Sequence, residues 1–214
     1  MAKQIKGVSE RIITCAKREF LDKGYTNASL RTIAAMADTS TNSIYVRFGD
    51  KEGLFSAIVE PVLNEMTERF LKIQEKFHQM EPSQQAVRMP EYSDGGTAEL
   101  TDYMYEHLDE FRLLIDASYG TRFHNFVDEL VRIEVEYTYK YMEAVGCPEK
   151  SGDALTKTLL HIVTTSRFES IFETIRHGMS REEAAKYIEL LSKYHRTGFM
   201  KIFGMDKQNA PSDN

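Results

Sequence analysis

Apolar residues recur along this chain at steps of three and four, and nearly everything reads as helix. From Val8 the positions Ile12, Ala16 and Phe20, flanked by Ile13 and Leu21, form one stripe. Gly24 then stops that helix, because glycine takes the left-handed backbone of a helix end without steric cost. Ser29 predicts an N-cap for a helix over Leu30–Ala37, and Ser40 one for Thr41–Phe48. Ile33, Ala34, Ile44 and Phe48 would close a small three-helix core with Phe20. Asp50 caps a fourth helix whose stripe continues through Leu54, Ile58, Val62, Met66, Phe70, Ile73 and Phe77. At about 1.5 Å per residue this rod is roughly 40 Å long. Pro61 lies inside it, removes a backbone donor and predicts a bend near Ala57. The pattern leaves open whether that bend is a fixed kink or a hinge.

Residues 81–96, EPSQQAVRMPEYSDGG, hold Pro82 and Pro90 and end in Gly95-Gly96, which predicts a surface loop. Helical spacing resumes over Ala98–Tyr119, Arg122–Val145, Asp153–His177 and Ser180–Phe203, with Gly146 before Pro148, and Gly178, marking ends. Ser180-Arg181-Glu182-Glu183 has the form of a capping box. The expected architecture is all-α: a three-helix unit over residues 1–50, a helical body over 51–205 and a polar tail over 206–214.

Two short helices joined by a tight turn, the second polar outside and apolar inside, present a reading surface as a helix-turn-helix does. If Ile44 and Phe48 point inward, then Thr41, Asn42, Ser43, Val46 and Arg47 point outward. Asparagine bonds adenine bidentately, Ser and Thr bond several base edges, and a valine methyl meets the thymine methyl. The amides at the start of the fourth helix favour a phosphate oxygen. Arg31, at the edge of the preceding helix, reaches a base or a phosphate.

Ser29, Arg31, Thr32-Ile33-Ala34, Ala37, Ser40, Ile44-Tyr45, Phe48, Lys51-Glu52 and Leu54, in this order and spacing, resemble the DNA-binding domain of the TetR family of bacterial repressors. The resemblance covers about the first fifty to sixty residues. It implies phosphate contacts by Thr32, Tyr45, Arg47 and Lys51, a C-terminal ligand-binding and dimerisation domain, and twofold pairing through the last two helices. The chain departs from the family at Asp38, a turn position usually held by glycine, and at Asn42, where a small residue is common. Aspartate tolerates a positive φ better than most residues, so the turn is kept at modest strain.

Charge supports the division. Residues 1–51 carry nine Lys/Arg against five Asp/Glu, net +4, and residues 52–214 carry eighteen against twenty-eight, net −10. The basic front suits phosphates although the whole chain is acidic.

In the body, Leu159, Val163, Ile171, Ile175, Ile188, Leu191 and Phe199 mark a candidate dimer interface that would form a four-helix bundle. The middle helices are rich in aromatics. Tyr103, His107, Phe111, Tyr119, Phe126, Tyr137, Tyr141, His161 and Phe168 are candidates for an effector site, although plain packing also explains any one of them. His161, on an otherwise apolar helix, fits either a ligand contact or a hydrogen-bonded interior histidine.

No His-x-x-x-His or Cys-x-x-Cys pair suggests a metal site, and two distant cysteines suggest no disulfide framework. No phosphate loop or nucleophile elbow points to an enzyme or a cofactor. No signal peptide or membrane-spanning run is seen, so a cytoplasmic protein is expected. The expectation is a ligand-responsive regulator. It would bind a palindromic double-stranded DNA operator as a homodimer and be released by a small, mostly apolar or aromatic effector. A protein-docking helical module and a constitutive DNA binder are the alternatives.

Overall fold

The structure, a computed structural model, describes residues 2–147 and 154–205. Among them are nine helices and no strand: α1 (Ala2–Asn27), α2 (Leu30–Met36), α3 (Thr41–Phe48), α4 (Lys51–His78), α5 (Pro82–Glu106), α6 (Leu108–Asp116), α7 (Phe126–Ala144), α8 (Ala154–Arg176) and α9 (Arg181–Ile202). The helix expected to end at Val145 ends at Ala144, with Gly146 at φ 64° beyond it, whereas Pro148, the start at Asp153 and the polar tail from 206 lie outside the described residues.

The predicted loop over 81–96 is helical instead, as the first part of α5. Pro82 occupies its first position, where a missing N–H costs nothing. Gly96 lies inside the helix because α4 comes close: a Cβ there would sit 2.8 Å from Ile73 Cγ2. The long helix expected over Ala98–Tyr119 breaks at His107, whose ψ of 41° ends α5 and precedes α6. The one expected from Arg122 begins only at Phe126. Upstream, Thr121 Oγ1 donates to Ser118 O at 2.7 Å and accepts from Phe123 N–H at 3.1 Å, local bonds that compete with a helix. α4 continues through Pro61 as a single helix.

The chain forms two compact units. One joins residues 1–66 to residues 104–126. Ile12, Ala16, Phe20, Ile33, Ile44, Leu54 and Ile58 are buried there as their spacing predicted, while Phe48 is only half-buried. The sequence pattern placed neither Phe55 nor Phe123 in this core, yet both complete an aromatic cluster in it. Phe55 meets Phe20 edge-on at 5.2 Å and Tyr25 at 5.5 Å, and Phe123 lies 6.1 Å from Phe55. The three-helix head is therefore not closed by α4 alone: α6 and the turn after it are part of the same body.

The other unit comprises residues 67–103 and those from 127 onward. Phe77, Tyr141, Met142, Leu160, Phe203 and Met205 form one buried cluster in it. Phe70 meets Phe168 edge-on at 5.8 Å. Arg167 joins three helices of this unit: it donates to Glu134 at 3.0 Å and to Thr97 Oγ1 at 2.8 Å, and Gln74 donates to the same carboxylate at 2.6 Å. The capping box at Ser180 and Glu183 is present in full and opens α9.

Candidate nucleic-acid interface

The head is built around the turn between α2 and α3. Ser29 caps α2 by accepting from Thr32 N–H at 3.4 Å, and Ser40 caps α3 by accepting from Ser43 N–H at 3.1 Å. Between them Thr39 N–H reaches Ala34 O at 3.0 Å and Asp38 N–H reaches Ala35 O at 3.3 Å. This is a Schellman ending, and Asp38 holds its left-handed position at φ 49° where glycine is usual. Arg11 braces the same corner, donating from Nε to Ala37 O at 3.3 Å. Buried Glu19 accepts from Ser29 N–H at 3.0 Å at the start of α2. Neither contact has a local sequence signature, because each joins residues far apart in the chain.

α3 is thereby fixed with Ile44 inward and its polar face outward. Val46 is 74% exposed and Tyr45 is 52% exposed. Asn42, Arg31 and Thr32 are exposed as well, and Thr41, Ser43 and Arg47 are half-buried. Arg47 Nη1 donates to Ser43 O at 3.1 Å and to Ser43 Oγ at 2.6 Å. α3 ends at Gly49, with φ 81°, and Asp50 then opens α4 by accepting from Gly53 N–H at 2.7 Å. Gly53 is needed there: a Cβ would fall 1.9 Å from Phe48 O.

Lys51 stands apart from the other candidate phosphate contacts. Its ammonium donates to Thr26 O and to Ala28 O, both at 3.1 Å, and lies 4.7 Å from the centre of the Tyr25 ring. Burial holds its pKa below the ordinary lysine value. In this state it seals the junction between α1 and α2, where Gly24 at φ 70° turns the chain.

The body candidates are dispersed. His107, Phe111, Tyr119 and Phe126 belong to the unit containing the head, and Tyr103, Tyr137, Tyr141, His161 and Phe168 to the other. Phe111, Phe126, Tyr103, Tyr141 and Phe168 are buried, whereas Tyr119 and His161 are exposed. His161 is thus neither an interior histidine nor enclosed. Of the dimerisation candidates, Ile171, Ile175 and Ile188 are buried within their own chain, and Leu159, Leu191 and Phe199 are half-buried. Val163 is exposed, and so are Leu155, Ile162, Leu190 and Tyr194 on the same two helices. Among the described residues no group of three or more His, Cys, Asp or Glu is placed to hold a metal ion, and no helix is long and apolar enough to cross a membrane.

A basic three-helix unit with a capped, outward-facing third helix defines a helix-turn-helix DNA-binding protein. Residues 12–58 match the family model of bacterial regulatory proteins, tetR family. The whole fold is shared with solved structures. PfmR, a TetR family transcriptional regulator from Thermus thermophilus, is 17% identical over 87% of this chain and 92% of that one, with a TM-score of 0.57. A TetR-like transcriptional regulator from Rhodococcus sp. RHA1 is 19% identical over 89% and 96%, with a TM-score of 0.55. Native NalD, the secondary repressor of the MexAB-OprM multidrug efflux pump in Pseudomonas aeruginosa, is 16% identical over 89% and 97%, with a TM-score of 0.52. No curated protein matches the chain. The amino-terminal segment is thus similar to bacterial regulatory proteins of the tetR family, and the chain as a whole shares the fold of solved structures from that family.

Proposed function

We propose that this regulator is a repressor that binds a palindromic operator as a homodimer and releases it when a small effector binds. The observation that carries the DNA reading is the exposed polar face of α3 beside the basic residues of the head. Asn42 and Val46 are free to meet base edges, with Ser43 beside them, and Arg31, Thr32 and Tyr45 flank them as backbone contacts.

Pairing is supported by the large apolar side chains that α8 and α9 leave in water. Leu155 is 79% exposed and Tyr194 is 76% exposed, with Ile162, Val163 and Leu190 alongside on the two helices. Apolar surface gathered on neighbouring helices is a contact surface. A twofold pair of such faces would form a four-helix bundle, with half-buried Leu159, Leu191 and Phe199 at its margin.

The effector reading rests on the aromatic body unit and on one polar atom within it. Gln85 is buried and donates to Met80 O at 2.8 Å, while its Oε1 is buried with no partner among the described residues. A buried acceptor left unmatched costs about 1–3 kcal/mol, so a ligand donor would find it ready. This favours a mostly apolar molecule with a hydroxyl or amine, within the aromatic class the tyrosines suggest. Tyr103, Tyr137, Tyr141 and Phe168 belong to this same unit.

The test begins with selection of bound duplexes from a random pool. Affinity for the winning duplex is then measured in wild type, Tyr45→Ala and Asn42→Ala. Wild-type affinity should fall steeply with salt. Tyr45→Ala should weaken all duplexes alike, and Asn42→Ala should change preference at one base pair by about 1–3 kcal/mol. Equal affinity in all three folded proteins would remove the assignment. A saturating effector should weaken operator binding by roughly five- to 150-fold, and no change at saturation would leave a constitutive binder.

A further inference from the structure

Ser43 and Arg47 are joined one turn apart on α3. Arginine carries only donors, so in the 2.6 Å contact Ser43 Oγ is the acceptor. Ser43 N–H is also occupied, by Ser40 Oγ at 3.1 Å. The hydroxyl proton finds no acceptor among the described residues. A charge-assisted bond into an oxygen also makes its own proton a better donor. Arg47 itself is tied down: Nη1 is held by two oxygens of Ser43, and Nε is buried with no partner.

Building on the DNA-binding reading above, we propose that Arg47 is a positioning residue that commits Ser43 to act as a hydrogen-bond donor toward the operator. A donor at this place donates to guanine O6 or N7, adenine N7 or thymine O4 on the strand it meets, and it rejects cytosine, which offers an amino group. If Ser43 instead took that amino group on its second lone pair, its own proton would be stranded. Arg47 then acts through Ser43 rather than on a phosphate.

The experiment is duplex selection from a random pool by wild type, Ser43→Ala, Arg47→Met, Arg47→Lys and the double variant Ser43→Ala/Arg47→Met, each checked for folding by thermal denaturation. Arg47→Met keeps the apolar stem and removes every donor. One operator column should exclude cytosine by roughly two- to tenfold in wild type, the worth of one hydrogen bond. Ser43→Ala should flatten that column. Arg47→Met should flatten the same column while sparing the rest, the double variant should add nothing further, and Arg47→Lys should restore part of the bias. If Arg47→Met weakens all sequences alike and leaves the column intact, Arg47 is a phosphate contact and the proposal fails while the DNA-binding reading stands. If wild type selects no duplex at low salt, that reading falls and this one falls with it.

Discussion

Lys51 shows how one residue can keep its place in a family pattern while taking a structural task. Its ammonium closes two backbone carbonyls at the α1–α2 junction, Thr26 O and Ala28 O, at 3.1 Å each. Hydrogen bonds from a charged group contribute about 1.5–3 kcal/mol each when well buried, and less when partly exposed as here. Lys51→Met should therefore lower stability by about 1 kcal/mol, read from the denaturant midpoint at unchanged slope. A variant as stable as wild type would show that the seal contributes nothing. His195, on α9, gives a second test with a definite sign. Burial first, and the positive charge of Arg167 second, hold its pKa below the ordinary histidine value. The unfolded chain then binds a proton at a higher pH than the folded one. Stability is fully present above the unfolded value and is lost as pH falls toward the folded one. His195→Gln should flatten this acid-side loss in thermal melts between pH 7 and 5, a window bracketing the ordinary histidine value of about 6.5.

At the scale of elements, the start of α4 depends on a residue with no side chain. Phe48 O occupies the space where a Cβ on Gly53 would sit, 1.9 Å away. Because the obstacle is backbone, relief requires the end of α3 to move. Gly53→Ala should cost about 1–3 kcal/mol, as overpacking does, and should loosen operator binding because α3 shifts with it. Thermal melts together with duplex titration check both effects. Most elements were legible in the sequence, since capped amphipathic helices combine a local signal at their ends with a periodic one along their length. Ser29, Ser40, Asp50 and Ser180 all cap the helices they were expected to cap. The first part of α5 was not legible. Pro82, Pro90, Gly95 and Gly96 are breakers by composition, and only the close approach of Ile73 accounts for Gly96 within a helix. The exposure of Asn42 and Val46 on α3 was also legible from the position of Ile44, whereas Thr41, Ser43 and Arg47, expected outward with them, are half-buried. The ties of Arg47 to Ser43 and of Lys51 to the α1 end were not, because the choice of hydrogen-bond partner is decided by packing and not by spacing.

At the scale of the whole molecule, apolar content and apolar exposure part company on α8 and α9. Ile171, Ile175 and Ile188 are no more apolar than Leu155 and Leu190, yet the former are core and the latter lie in water. Size-exclusion chromatography with light scattering should give a dimer for wild type and a monomer for Leu155→Glu/Tyr194→Glu, with helical content unchanged. A monomeric wild type, or a variant that still pairs, would place the interface elsewhere. The compact units also cut across chain order. Tyr25 N–H donates to Ala117 O at 3.0 Å, Thr26 Oγ1 to Tyr119 O at 3.2 Å, and Arg122 N–H to Glu52 Oε1 at 3.1 Å. Arg122 also pairs with Glu60 at 2.7 Å, and Lys17 with Glu110. Anyone grafting this helix-turn-helix front onto a foreign sensor would ordinarily splice after the third helix. The cut would strip away the stretch from 104 to 126 on which the front leans, and the chimera would inherit the recognition surface without its footing. A transplant that carries both pieces, with the receiving scaffold fitted around them, is the exchangeable part.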